Sequence, residues 1–318
     1  MTRGGGWIRP IGVGQIMVWQ LALLGVLAAP AGPPSAAAVA VAMLAIGLTS
    51  VRTGGLRAPQ WAMVYARYRS RRPVTNPAAP PLHALLPHLH LHTHVDRAGN
   101  LIGINSIDEN LDYGVTLRLA PHTHPNPLTL ISLLHNAFDR PDLPLHAAQL
   151  VAWTVPANPA PVTVYWLALR YRSDEAPLPA RARGGGSDGG RRSAASAALR
   201  LSTELAAAGY ANTVLDTPAL HQELLAAAGG AAAGPVTESW REWSVGGVRQ
   251  ACFLPRRATD VLPLIGRYAP GSAFTCVAYT LGRDDSGHPH DTAVVRLSPF
   301  PMPRLTPKSL AAQLDPRL

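Results

Sequence analysis

The feature that most restricts this chain is a pair of uncharged apolar runs near its start. Ile11 to Ala29 and Pro33 to Val51 contain no charged side chain, and Pro30-Ala31-Gly32-Pro33-Pro34 interrupts them. An α-helix of about 18–20 residues spans roughly 27–30 Å, the thickness of a bilayer's hydrocarbon core. Proline and glycine end a helix. The pattern predicts a transmembrane hairpin over residues 11–51. A secretory signal has a shorter apolar core with its cleavage site close behind. Ala29-Pro30-Ala31 has the small-x-small form of such a site, but a cut there leaves the second run unexplained. A buried hairpin in a soluble fold is the other reading, and the length of the runs favours the bilayer.

Charge sets the orientation. Arg3 and Arg9 precede the hairpin, Arg52, Arg57, Arg67, Arg69, Arg71 and Arg72 follow it, and the turn carries none. The positive-inside rule then predicts a multi-pass protein of the cell (inner) membrane with both termini cytoplasmic. No acidic residue occurs before Asp96. Eight of the 28 Lys and Arg residues lie in residues 1–72, so the net charge of +9 falls to 20 basic against 19 acidic residues beyond Arg72. The excess is juxtamembrane, where each basic side chain gains about 1 kcal/mol beside anionic lipid. A nucleic-acid domain carries its own basic patch. Anionic lipid headgroups are therefore the expected partner, and nucleic acid is not.

Four segments follow: a basic N-terminus (1–10), the hairpin (11–51), a basic juxtamembrane helix with a Pro-rich linker (52–87), and a cytoplasmic mixed α/β domain (88–318). In the hairpin, Ala38, Ala42 and Ala45 share a helix face at which a second helix could approach closely. Mere Ala richness explains the same face equally well. Pro59 to Arg72 reads as a helix at the membrane surface, with Trp61, Val64, Tyr65 and Tyr68 at helical spacing. Arg52, Arg57, Arg67, Arg69, Arg71 and Arg72 join Trp61, Tyr65 and Tyr68 as anchors in the headgroup region. A continuation of the second helix into the cytoplasm fits the same residues. Pro73 to Pro87 carries five prolines without periodicity and marks a linker.

Beyond it, strands are expected over Leu89 to Val95, Leu101 to Ser106, Val115 to Leu119, Thr163 to Arg170 and Thr213 to Leu215. Further strands follow at Trp240 to Val245, Val248 to Leu254, Phe274 to Leu281 and Thr292 to Leu297. Gly246-Gly247 signals a hairpin. Helices are expected over Leu128 to Phe138, Ser193 to Ala208 (stopped by Gly209), Pro218 to Ala228 and Leu262 to Tyr268. Arg172 to Gly190 reads as a loop. Because strands and helices are interspersed, the sheet is expected to be mixed. Cys252 and Cys276 sit in apolar strands and read as small buried hydrophobes rather than a disulfide or metal pair.

Two motifs suggest chemistry. His88, His90, His92 and His94 alternate, so on a strand they share one face, and imidazoles so placed bind zinc or similar metals. The run His88-Leu89-His90-Leu91-His92-Thr93 resembles the opening motif of PHP-type metal phosphoesterases. The usual acidic residue is His88 here, however, and the only later candidates are His122, His124, His135 and Asp291 in Gly287-His288-Pro289-His290-Asp291. An edge strand with histidines on its outer face explains the run without a metal, and none is assigned. The second motif is Arg181-Ala182-Arg183-Gly184-Gly185-Gly186-Ser187-Asp188-Gly189-Gly190-Arg191-Arg192, leading into a helix. It lacks the Lys-Ser/Thr of a phosphate-binding loop and the GxGxxG of a dinucleotide site. It reads as a flexible Gly-rich loop whose arginines could meet lipid headgroups or protein. No Gly-x-Ser-x-Gly elbow is present.

Taken in order, these features resemble one family. A basic N-terminus, two membrane helices, a Trp/Tyr/Arg linker and an α/β domain lead to the strand Val162 to Arg172 and then Arg181-Ala182-Arg183-Gly184-Gly185-Gly186. An Ala/Leu helix and Glu238-Ser239-Trp240-Arg241 follow, and Asp96 to Ile104 and Gln149-Leu150-Val151 also fit. The chain is similar to EccE, a core membrane component of actinobacterial type VII (ESX) secretion systems. The histidine run is not part of that resemblance. The resemblance implies a structural and assembly subunit that supports protein export in a complex with EccB, EccC and EccD, with ATPase work belonging to EccC. It carries over no catalytic residue, cofactor or small-molecule substrate. The other readings are a membrane-tethered metal-dependent hydrolase using the His88–His94 strand, and a membrane-anchored binding or regulatory module.

Overall fold

The computed structural model describes residues 52–53, 56–70, 88–107, 111–121, 123–228, 236–238, 243–245, 248–284 and 286–299, and isolated positions 39, 43, 82 and 86. The predicted hairpin, with Ala38, Ala42 and Ala45, lies outside the described residues except for Val39 and Met43. Arg71, Arg72 and nearly all of the Pro-rich linker lie outside them too. Among the described residues no helix is long and apolar enough to cross a membrane. The chain divides into two compact units, Met1–Pro73 and Val74–Leu318.

In the first unit, two short strands, β1 (Arg52–Thr53) and β2 (Leu56–Arg57), pair antiparallel with Arg52 opposite Arg57. They lead into helix α1 (Ala58–Ser70), within two residues of the helix expected over Pro59 to Arg72. Met63 and Tyr65 on it are exposed.

The second unit is built on one large sheet. Its strands are β3 (His90–Val95), β4 (Leu101–Ile107), β5 (Asp112–Leu119), β6 (Ala147–Val155), β7 (Val162–Arg172), β8 (Asn212–Val214), β9 (Val236–Glu238), β10 (Trp243–Val245), β11 (Val248–Phe253), β12 (Ser272–Arg283) and β13 (Pro289–Pro299). The order is β3-β4-β5-β7-β6-β12-β13-β11-β10-β9, with β8 beside β5. Every pairing among the described residues is antiparallel, so the expected mixed sheet is corrected. The helices are not crossovers between parallel neighbours. Most strands are joined by hairpins, and antiparallel pairs need only short turns.

Local chemistry explains the turns and helix starts. Asp96 closes the β3–β4 hairpin, its Oδ1 accepting from the N–H groups of Ala98 and Asn100 at 2.8 Å each, with Gly99 at φ 85°. Helix α2 (Pro127–Phe138) starts where Asn126 accepts from the Leu128 N–H at 3.0 Å, with Pro127 in the first turn. It buries the stripe Leu130, Ile131, Leu134, Ala137 and Phe138. Helix α5 (Thr217–Ala227) is capped by Asp216, which accepts from the Ala219 N–H at 2.8 Å.

Four elements differ from expectation, one of them strand β9 (Val236–Glu238), where no element was expected. Arg172 to Gly190 is not a loop, for it holds the short helix α3 (Pro177–Ala182) and the start of the long helix α4 (Gly186–Ala207). Packing compensates for the poor helix propensity of Gly186, Gly189 and Gly190. The short helix expected at Leu262 to Tyr268 is a 3-10 turn over Ala258–Leu264, started by Asp260 accepting from the Arg257 N–H at 3.0 Å. Strand β6 was not expected as an element. Its alternating burial is of the half-covered kind, but Ala147, Ala148 and Ala152 dilute the β signal.

Helices α2 and α4 and the 3-10 turn cover one face of the sheet. Tyr113, Val115, Leu117, Leu150, Leu167, Leu169, Val277 and Val295 point into that core and are at most 2% exposed. Helix α4 contributes Ala194, Ala197, Ala198, Leu201 and Leu205 at helical spacing. The other face carries helix α5 over a smaller cluster of Trp166, Leu215 and Leu220. Of the two cysteines, Cys276 is buried as expected and Cys252 is exposed.

Candidate functional site

The sequence pointed to two places in the second unit, and the structure treats them differently. Strand β3 forms one edge of the sheet. The alternation puts His90, His92 and His94 on one face of it. His92 Nε2 lies 2.8 Å from Ser106 Oγ on β4. Gly287-His288-Pro289-His290-Asp291, which would supply further metal ligands, leads into β13. Six strand spacings separate β3 from β13, roughly 29 Å at about 4.8 Å each. His135 sits in the last turn of α2. Among the described residues no group of three or more His, Cys, Asp or Glu side chains is placed to hold a metal ion. The described residues therefore do not bring together the ligand set that a PHP-type reaction needs.

The Gly-rich segment is a packed corner rather than a flexible loop. Gly184, Gly185 and Gly186 all have positive φ (108°, 72° and 55°), which glycine adopts without a steric penalty. They fold α4 back beside α3. The Ala180 carbonyl accepts from the Arg183 N–H at 3.0 Å and from the Gly185 N–H at 2.9 Å, which closes the turn. The next two glycines permit close contact. A Cβ on Gly189 would collide with the Ala180 carbonyl, and one on Gly190 would stand 2.7 Å from Tyr113 Cζ. Ser193 Oγ donates to the Gly189 carbonyl at 2.9 Å, inside the same buried seam.

The outer side of this corner is basic. Arg183 Nη1 donates to the Pro179 carbonyl and Arg192 Nη1 to the Arg183 carbonyl, both at 3.0 Å. Arg191 pairs with Asp188. Among the described residues, no carboxylate forms an ion pair with Arg181, Arg183 or Arg192. The local field is positive. Burial, then the nearby Arg192 and Arg191 guanidiniums, hold the His94 imidazole below its ordinary pKa of 6.5. Arg191, by hydrogen bond and charge, lowers the Asp188 carboxyl. Leu178 on α3 stands out here at 72% exposed.

On the opposite face of the sheet, Glu223 of α5 accepts from two adjacent strands. Trp166 Nε1 donates to Glu223 Oε2 at 3.0 Å, and Arg118 pairs with Oε1. Arg118 and Trp166 are register partners on β5 and β7. Trp153 lies 6.1 Å from Trp166, ring centre to ring centre. The start of α5 is fixed by the backbone. Gly103 N–H donates to the Leu215 carbonyl at 2.7 Å, and Leu215 N–H donates to the Thr116 carbonyl at 3.0 Å. Residues 212–215 are thus wedged between β4 and β5. A Cβ on Gly103 would stand 2.7 Å from Asp216.

The residues expected to anchor at a membrane surface are placed only as a helix and its lead-in. Arg52 and Arg57 lie on β1 and β2, and Trp61, Tyr65, Arg67, Tyr68 and Arg69 on α1. Tyr65 is exposed and Tyr68 half-buried. Sequence reasoning missed Leu178 and Glu223. Pro177, three residues ahead of a buried Ala180, was the available sign of a helix start. Glu223 carried no sign, because its partners lie on strands 57 and 105 residues away.

Residues 161–254 match the family model described as "Putative type VII ESX secretion system translocon, EccE". The match covers under a third of the chain, from the first residues of β7 through α3, the glycine corner, α4, β8 and α5 to the end of β11. The resemblance read from the sequence is borne out over that span. No curated protein matches the chain.

Proposed function

We propose that this protein is a non-enzymatic assembly subunit of a type VII secretion complex in the inner membrane, supporting protein export. The observation that carries the reading is the family match. It spans the glycine corner and α5, the parts whose packing is most tightly specified. The functional consequence is a rigid platform. A broad antiparallel sheet, with helices fixed on it by close glycine contacts and the Glu223 clasp, presents surfaces to partners without needing a cavity. The uncharged runs and the flanking arginines support a two-helix anchor with both termini cytoplasmic, seated by Arg52, Arg57, Trp61, Tyr65, Arg67, Tyr68, Arg69, Arg71 and Arg72. Ala38, Ala42 and Ala45 supply the helix contact. EccB, EccC and EccD are the partners this reading names, with EccC doing the ATPase work.

The test is affinity purification of the tagged full chain from native membranes in mild detergent. Co-elution with EccB, EccC or EccD is the expected result. Purification as a lone monomer, with those subunits present in the same membranes, would overturn the assignment. Carbonate washing of the membranes tests the anchor separately, and release into the supernatant would remove it.

A further inference from the structure

We propose that the α3–α4 corner is a docking surface for the anionic phospholipid headgroups of a bilayer, with Leu178 entering the interface and Arg181, Arg183 and Arg192 holding phosphate. This goes beyond the assembly role and requires no partner subunit.

Four observations converge. Helix α3 buries Pro179 and Ala180 against the domain, so Leu178 is held outward. It is the only large apolar side chain exposed among the described residues 177–192. A protein hot spot needs a cluster of anchors in a packed patch, whereas a single exposed leucine three residues from Arg181 on the same short helix suits the headgroup–acyl boundary. Among the described residues no carboxylate forms an ion pair with any of the three arginines, although Asp188 lies within the field of Arg192. Arg183 and Arg192 each spend a single donor on a backbone carbonyl, out of the five a guanidinium has, and keep the rest for a ligand. Guanidinium binds phosphate bidentately and is weakly hydrated, so it tolerates a crowded interface. The glycine turn fixes the two helices side by side, so their backbones need no ordering on contact. The His94 imidazole is held below its ordinary pKa first by burial and then by Arg192 and Arg191, which places these guanidiniums' charge at the β3 end of the corner.

The test places a nitroxide on the full chain through Leu178→Cys in a Cys252→Ser background. Cys276 is buried and does not label. The chain is mixed with, or reconstituted into, vesicles of phosphatidylcholine alone or of phosphatidylcholine with phosphatidylglycerol. On the anionic vesicles the label should become accessible to oxygen and shielded from a water-soluble nickel chelate. High salt should reverse this. Arg181→Gln and Arg192→Gln should each lower the ratio of docked to undocked label about fivefold. Equal exposure to the nickel chelate on both vesicle types overturns the proposal. So does shielding that appears only when another secretion subunit is added, which would make the corner a protein contact. The readout involves no subunit partner, so its failure leaves the assembly role standing, and a lone monomer in the purification above leaves the lipid contact standing.

Discussion

Substituting Gly189 by alanine sets helix propensity against packing. In an open helix the change stabilises by about 1 kcal/mol, because glycine loses more backbone entropy than alanine. Position 189 is buried in α4 and its φ is ordinary, so propensity alone predicts that gain. A Cβ there would stand 2.9 Å from the carbonyl carbon of Ala180 and closer still to its oxygen. Ordinary carbon contacts are about 3.5 Å, so α3 must retreat by about 0.6 Å or more. The displaced oxygen is the acceptor for the Arg183 and Gly185 N–H groups. Losing both costs about 1–3 kcal/mol, and forcing a methyl into a packed seam costs about 1–3 kcal/mol more. After the propensity gain is subtracted, the expected net loss is about 1–5 kcal/mol. In a urea melt of the full chain, a slope of about 2 kcal/mol/M turns this into a midpoint roughly 0.5–2.5 M lower. A midpoint that rises by about 0.5 M, as propensity demands, would refute the close-packed corner.

Two other outcomes can be checked in the same preparation. Glu223→Ala leaves the Trp166 N–H and the Arg118 guanidinium without their shared acceptor. We expect a loss of about 1–3 kcal/mol in the melt and a changed Trp166 emission, and unchanged stability would mean the clasp is ornamental. His94 binds its proton less readily folded than unfolded, so its contribution to stability is present above its unfolded value of about 6.5 and is lost as pH falls through that value toward the lower folded one. His94→Gln should therefore lose less stability than the parent between neutral and mildly acidic pH, and identical pH profiles would count against the positive field at the corner.

Much of the fold was legible because periodicity reports burial. The strands at β3, β4, β7, β12 and β13 and the helices at α2 and α5 fell close to their expected bounds, since alternation or a proline cap marked each one. The glycine corner was misread for a physical reason. Gly184 to Gly190 has the composition of a flexible loop, and only its distant contacts, the Ala180 carbonyl and the Tyr113 ring, show that the missing side chains are what permit packing. The sheet's direction was misread because its order joins strands far apart in the chain. β5 pairs with β7, and β6 with β12, which lies more than a hundred residues further on. The arginines were legible as a candidate contact, but Leu178 was not, because exposure of a lone leucine depends on what its helix buries.

The wedge of residues 212–215 between β4 and β5 also orders events in time. As the nascent chain leaves the ribosome, the amide of Gly103 and the carbonyl of Thr116 emerge early, while the Leu215 groups that satisfy them follow roughly a hundred residues later. Until translation passes that point, the opening strands carry an unzipped seam, and a chaperone or a premature partner meets bare backbone there. A polypeptide truncated ahead of Asn212 keeps that seam permanently, and aggregation is its expected fate.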